Sequence, residues 1–336
     1  MKPIVTLSIA VALAASLAGS AVQAATRQPV LQPDKLLVLS TTDVKGKTGP
    51  CGCHVPKGGM SRRASFVDSL RLSYGQLVLV DNGGFFPDEN ERKAAPAFML
   101  DVMKTMGTDA VNIGERDLRF GREFLAEKLT RSGIPAVSAN LVDKASQKPL
   151  FNPYIVKKVG GVTVGIFGLI APTSDLGPSK ESLAVLDPSA TARTTVAALK
   201  AKGAQVIILL AQLGKVDGED LVTEVDGIDA VMMGRNVALI QRGRMVKSTI
   251  ACYGGEQGHY VCRTELALDA QHHMQSGEAE AVILGPEVPD NAPIAASVKA
   301  FEASVAPAAT PAATPASAPA PAAADTSYTP KGSAGR

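Results

Sequence analysis

The chain has 336 residues with 34 basic and 32 acidic side chains, a formal net charge of +2, and no long run of one sign, which argues against a nucleic-acid or polyanion surface. Tryptophan is absent and aromatic residues make up 4% of the chain, so stacking platforms for bases or sugars are scarce.

The first residues read as a secretory signal over 1–24: one basic residue, Lys2, an apolar run over 4–18, and small residues ending Val22-Gln23-Ala24. The apolar run is too short and wrongly flanked for a stable span, so the mature protein is expected in the periplasm or secreted. Apolar β-branched runs then alternate with amphipathic stretches, the pattern of an α/β domain with covered sheets. In chain order the sequence predicts a strand over 36–40, a long glycine-rich loop, and a helix from Ser61 with that serine as N-cap. A strand over 76–80, a helix over 93–106, a strand over 109–113, a helix over 119–131 and a strand over 136–139 follow. Gly160-Gly161 has the chemistry of a two-residue hairpin turn and begins a second sheet. Asp187-Pro188 opens a helix to 202, and strands follow over 206–210 and 229–233. Segments 245–253 and 260–268 read as an antiparallel pair, and a helix over 292–305 closes the folded part. From 306 to 336 the Ala/Pro-rich composition predicts an extended, solvated tail.

Two thiols one residue apart stand in Gly49-Pro50-Cys51-Gly52-Cys53-His54, with Lys45, Lys47 and Lys57 nearby. This electropositive setting favours a reactive thiolate, and a Cys-x-Cys bond closes a small, labile ring. Haem attachment is excluded, since it needs two residues between the cysteines. Cys51, Cys53 and His54 leave zinc a ligand short, and copper(I) is the softer alternative. Cys252 and Cys262 read as a structural cross-strand disulfide in an oxidising compartment, although four cysteines allow three pairings and the spacing leaves them open.

The segments LLVLSTTDVKG, VLVDNGGFF, VNIGERDLRFG, VIILLAQLG and DAVMMGRNV resemble, in order and spacing, the metal-binding motifs of the 5′-nucleotidase and UDP-sugar hydrolase branch of the metallophosphoesterases over about residues 34–269. The resemblance implies a single-domain α/β fold, the four-layer α-β-β-α sandwich, over 34–270, with a C-terminal segment and helix over 271–305. It also implies a two-metal centre at the strands' carboxyl ends, which polarises the phosphate and activates water. At the positions of that centre Asp43 is retained, whereas Lys45, Gly84, Glu115, Gln212, Arg235 and Val237 stand where the family has other ligands, and Arg116 replaces the histidine that follows the asparagine ligand. Four histidines in the whole chain, His54, His259, His272 and His273, cannot rebuild such a centre from the expected places. After Asp269 only Phe301 and Tyr328 are aromatic, so the base-stacking second domain of the family's nucleotidases is not expected. The Cys-x-Cys loop further resembles a branch of 5′-nucleotidase-like proteins with cysteine or selenocysteine in a short motif.

The resulting expectation is thiol chemistry at Cys51, Cys53 and His54 beside a cationic cleft. Lys45, Lys57, Arg116, Gln212, Arg235 and Asn236 would bind a small oxyanion or disulfide substrate, balanced by Asp43, Asp81 and Glu115. No cofactor is expected on this reading, and an electron-transfer partner in the periplasm completes it. The alternatives are a phosphoester hydrolase with a divalent metal at Asp43, Asp81 and Glu115, and a non-catalytic binding module.

Overall fold

The structure, a computed structural model, describes residue 32 and residues 34–306. The expected signal segment over 1–24 and the Ala/Pro-rich segment over 307–336 lie outside them. Strand β1 (Lys35–Thr41) leads through a long loop into α1 (Met60–Arg71), and β2 (Leu77–Asp81), α2 (Ala95–Thr105), β3 (Ala110–Asn112), α3 (Arg122–Ser132) and β4 (Ala136–Val137) follow as βαβ units. A short strand β5 (Leu141–Asp143) precedes the hairpin of β6 (Tyr154–Val159) and β7 (Val162–Ile170), turning at Gly160-Gly161 as its composition requires. Then come β8 (Leu183–Val185), α4 (Pro188–Ala201), β9 (Val206–Gln212), α5 (Lys215–Glu224) and β10 (Ala230–Met233). The chain finishes with β11 (Ile240–Val246), β12 (Thr249–Tyr253), β13 (Tyr260–Leu268), β14 (Met274–Ile283) and α6 (Ala292–Val305).

One sheet runs β4-β3-β2-β1-β13-β14 and a second runs β12-β10-β9-β7-β6, with β11 hydrogen-bonded to both β14 and β12. Alternation along the strands separates three apolar layers. Leu37 and Leu39 of β1 face a core completed by Met60, Val67, Met99, Leu125 and Ile294 of α1, α2, α3 and α6. Leu36 and Val38 face the other way, onto Val164, Ile166, Ile208 and Met232 of the second sheet. Phe167, Leu169 and Leu209 look outward onto Val196, Leu199 and Leu221 of α4 and α5. Strands buried on both faces in this way read as continuous apolar runs, and three cores between two sheets and two helical layers make the expected four-layer sandwich.

Several local expectations change. The helix after the first loop is capped at Gly59 rather than Ser61, whose hydroxyl donates to Asp290 instead. Residues 245–253 are not one strand. They form the end of β11 and all of β12, joined at Lys247 in the left-handed region, and β12 does not pair with β13. Gly243 allows β11 to bulge, because a Cβ there would lie 2.4 Å from the Ala251 carbonyl oxygen. The two strands belong to different sheets, so the Cys252–Cys262 disulfide, with Cα atoms 6.2 Å apart, crosses the inter-sheet core. Asp187 does cap α4, accepting the Ala190 N–H at 2.7 Å.

Candidate functional site

The carboxyl ends of β1, β2, β3, β9 and β10 point to one edge, and the loops leaving them meet there. After β1 the chain is strained: Asp43 has φ 49° and Lys45 φ 54°. Across the edge Arg235 and Asn236 have φ 72° and 58°, and Gln257 has φ 60°. Eight non-glycine residues with positive φ occur among the described residues, and five of them are on these three loops. Left-handed non-glycine backbone costs on the order of 1–3 kcal/mol each and persists where the surroundings impose it. Here Asp43 imposes it. Its carboxylate accepts the Arg235 N–H at 2.9 Å and the Thr42 hydroxyl at 2.7 Å, while its backbone carbonyl accepts the Gln257 N–H at 2.8 Å.

Gly84 lies against this carboxylate, and a Cβ on it would be 2.6 Å from Asp43 Oδ1. The position at which the resemblance expects a bridging aspartate therefore faces Asp43, but without a side chain. Gln212 fills the next space, its amide donating to Thr42 Oγ1 and to the Gly83 carbonyl, both at 3.2 Å. Beneath it a set of buried neutral amides ties the strand ends together. Asn82 donates to the carbonyls of Ala211 and Met232, Asn112 to those of Leu169 and Leu210, and Asn140 to that of Ile170. These asparagines were missed from the sequence, although each stands one to three residues beyond an apolar β run.

Two further carboxyls are buried. Asp81 at the end of β2 accepts the Thr41 hydroxyl at 2.5 Å and the Gly83 N–H at 3.0 Å, and lies 3.7 Å from the buried Arg63 guanidinium of α1. Burial pushes it up to about 6 against the pull of Arg63. Asp117 accepts the N–H groups of Gly84, Phe85, Phe86 and Gly114 at 2.7–3.1 Å, yet burial still pushes it up to about 7. Burial also raises Asp43, opposed first by the Thr42 hydroxyl. Neither Arg63 nor Asp117 stood out in the sequence.

The three cations expected in the cleft do reach this edge, each with an acidic partner. Lys45 pairs with Glu256, Arg116 with Asp88, and Arg235 with Glu115 at 3.3 Å. The Lys45 hydrogen bond holds Glu256 below its usual range, and the Arg116 charge adds to this. Three positive charges thus face Asp43, Asp88, Glu115 and Glu256, so the net positive charge expected from the sequence is offset. A cavity of about 240 Å³ opens between Asp88, Glu115, Arg116, Arg119 and Asp175, and a second of about 410 Å³ lies between Asn236, Leu239, Glu256, His259 and Tyr260.

Cys51 and Cys53 are joined as a disulfide on an exposed loop tip that also carries His54. The base of the tip is a backbone pair, with Cys51 N–H donating to the Lys57 carbonyl at 2.9 Å. The tip and the charged edge touch opposite ends of one loop. Gly58 backs onto Gly258 and His259, whereas Glu256 reaches Lys45.

This fold, with its loops converging on one carboxyl edge, defines a metallophosphoesterase-type α/β protein. No family model matches the chain. It is 28% identical over 263 residues to the 2′,3′-cyclic-nucleotide 2′-phosphodiesterase/3′-nucleotidase of Yersinia enterocolitica, covering 68% of this chain and 39% of that protein. Among solved structures it is similar to a 5′-nucleotidase precursor from Thermus thermophilus, with TM-score 0.73 and 24% identity over 81% of this chain and 59% of that one. The calcineurin-like phosphoesterase YfkN from Bacillus subtilis superposes with TM-score 0.71 at 22% identity, over 81% of this chain and 97% of that one. In sequence and in fold the chain is similar to the 5′-nucleotidase branch of the metallophosphoesterases. It spans 32–39% of the length of the first curated relatives.

The relatives overturn one expectation. They are nucleotidases and metallophosphoesterases, which points to a divalent metal, so the expectation that no cofactor is involved does not stand. The residues at this edge nevertheless do not fit the family's two-metal centre. Among the described residues no group of three or more His, Cys, Asp or Glu side chains is placed to hold a metal. Asp43, Asp81 and Glu115, the ligand set of the alternative reading, do not converge. Asp43 is bonded to Thr42 and Arg235, Asp81 is turned to Thr41 and Arg63, and Glu115 is paired with Arg235.

Proposed function

We propose that this chain acts on phosphoesters as a hydrolase of the nucleotidase and cyclic-phosphodiesterase type, at the carboxyl edge around Asp43. The observation that carries the reading is the meeting of Lys45, Arg116 and Arg235, from three separate loops, over the strained Asp43 turn. An anionic ester is held by these cations in exchange for Glu256, Asp88 and Glu115, and charge-assisted contacts of this kind contribute roughly 1.5–3 kcal/mol each. The buried amides fix the floor on which the loops stand, so the ester is oriented by the rim. No step is assigned to a metal, because the residues present do not form its site. The protein works in the periplasm or outside the cell on this reading. Among the described residues no helix is long and apolar enough to cross a membrane.

The test is release of phosphate from nucleoside monophosphates and 2′,3′-cyclic nucleotides, with and without added zinc, manganese or magnesium. Turnover that falls about ten- to a hundredfold in Arg116→Ala and Arg235→Ala is expected. Absence of turnover under every metal condition overturns the hydrolase reading.

A second reading is favoured by one observation, the exposed disulfide at the loop tip. On it Cys51 and Cys53 exchange with a thiol or disulfide substrate, His54 carries the proton, and a separate electron-transfer protein closes the cycle. A thiol-trapping titration in graded glutathione buffers tests it. Reduction of the Cys51–Cys53 bond well before the Cys252–Cys262 bond supports it, and simultaneous reduction counts against it.

A further inference from the structure

The two sulfurs of the loop-tip disulfide are not equivalent. Cys51 sits at the base of the tip, half-buried and clamped in a two-way contact with Lys57. Its N–H donates to the Lys57 carbonyl, and its Sγ receives the Lys57 N–H at 3.3 Å. The base is anchored further by the Arg62 guanidinium, which donates to the Pro56 carbonyl at 2.7 Å, and by the Gly58 N–H, which donates to the Leu284 carbonyl at 2.8 Å. Beyond the clamp, Gly52, Cys53, His54 and Val55 are all exposed, and apart from its own chain neighbours nothing lies within 4 Å of the place a Gly52 side chain would take. The stretch from Gly49 to Arg63 contains no acidic residue, and its Lys57 and Arg62 stand at the base of the tip, whereas Arg63 is turned away to Asp81.

Thiol–disulfide exchange requires the incoming thiolate to approach one sulfur in line with the bond it breaks, and it is fastest when the departing sulfur is stabilised as a thiolate. A backbone N–H aimed at a sulfur, together with nearby positive charge, supplies that stabilisation. On the thiol-exchange reading above, we infer that Cys53 is the sulfur that exchanges with substrate and Cys51 is the leaving and resolving thiol, the substrate being a low-molecular-weight anionic thiol or disulfide. In the reductive direction a thiol RSH passes its proton to His54 and RS⁻ attacks Cys53 Sγ. The RS–Cys53 bond forms, the Cys51–Cys53 bond breaks, and the electron pair leaves on Cys51 Sγ, which the Lys57 N–H holds. A second RS⁻ then attacks the substrate sulfur of the mixed disulfide and releases Cys53 as thiolate with RSSR, so two thiols are oxidised and one protein disulfide is reduced. In the oxidative direction the Cys53 thiolate attacks RSSR, expelling one RS⁻, and Cys51 displaces the second.

The test uses the full chain with reduced glutathione. The reaction is quenched with acid at short times, free thiols are alkylated, and the peptide spanning Cys51 and Cys53 is mapped by mass spectrometry. Glutathione on Cys53 with the alkyl group on Cys51 is expected, in at least tenfold excess over the reverse. The single variants give an independent reading: reduced Cys51→Ser, which keeps Cys53, should capture oxidised glutathione at least tenfold faster than reduced Cys53→Ser. Glutathione found mainly on Cys51, or equal rates for the two variants, overturns the assignment while leaving thiol exchange standing. A disulfide that resists millimolar glutathione overturns the thiol-exchange reading itself, and the assignment with it.

Discussion

The carboxylate of Asp43 accepts the backbone N–H of Arg235 at 2.9 Å, so a residue just after the first strand fixes a loop almost two hundred positions later. Asparagine keeps both the oxygen acceptor and the tolerance of left-handed backbone, whereas alanine keeps neither. Asp43→Asn should therefore change stability by less than about 1 kcal/mol, and Asp43→Ala should cost about 1–3 kcal/mol through the unpaired Arg235 and Thr42 groups. Urea unfolding measures both, and equal costs for the two variants would remove Asp43 from this role.

Arg63 and Asp81 form a buried pair in which each charge depends on the other. Removing one partner of a buried pair leaves an uncompensated charge and costs about 3–5 kcal/mol, whereas removing both is far milder. Arg63→Met should be strongly destabilising, and Arg63→Met with Asp81→Asn should regain much of the loss. A double-mutant cycle in chemical denaturation checks this, and simple additivity of the two changes would refute the coupling.

Burial raises Asp81 to about 6, Asp117 to about 7 and Asp229 to about 6, each from 3.8. An acid whose folded pKa is raised holds its proton longer when folded. Its contribution to stability is complete below pH 3.8 and is lost as pH rises through the folded value. His259, pushed down by burial, acts in the opposite sense below its usual 6.5. Carboxyls held low by their partners, such as Glu256, Asp143 and Glu302, act in the opposite sense but complete their contribution by about pH 5, so above that the raised acids oppose His259 alone and the midpoint of urea denaturation should fall between about pH 5.5 and pH 7.5. Asp229→Asn, which can still accept the Ile207 N–H, should flatten the fall below pH 6. A midpoint that rises across this range would contradict the assignment.

The Cys252–Cys262 bond joins β12 of one sheet to β13 of the other. For a loop of this length its loss should cost about 2–3 kcal/mol. The double serine variant should unfold at correspondingly lower urea, with the Cys51–Cys53 bond intact. Unchanged stability would show that the inter-sheet core holds the two sheets unaided.

Much of the fold was legible because its strands are buried on both faces and announce themselves as apolar runs, as in residues 206–210 and 229–233. The placement of β12 and β13 in different sheets was not, because proximity in sequence suggested a hairpin whereas β11 joins the two sheets and sends the chain across the core. The convergence of Asp43, Gly84, Glu115, Gln212 and Arg235 on one edge was legible through their spacing. The charge balance of this edge was hidden, since Asp88 and Glu256 are ordinary acids in the sequence and become partners of Arg116 and Lys45 only through the tertiary structure. The role of Asp117 was hidden likewise, because its four donors are backbone N–H groups that no residue type announces.

The asparagines beneath the rim have a mechanical consequence. Their hydrogen bonds to strand carbonyls carry no net charge, so they neither titrate nor weaken as salt screens charges. Asn82 spans from β2 to the carbonyls of β9 and β10, and so rivets one sheet to the other at the very edge where the loops emerge. The ion pairs above, Lys45 with Glu256 and Arg116 with Asp88, respond to pH, salt and any incoming anion. Mouth and foundation are thereby decoupled: the rim can trade partners while the strands that carry it keep their register.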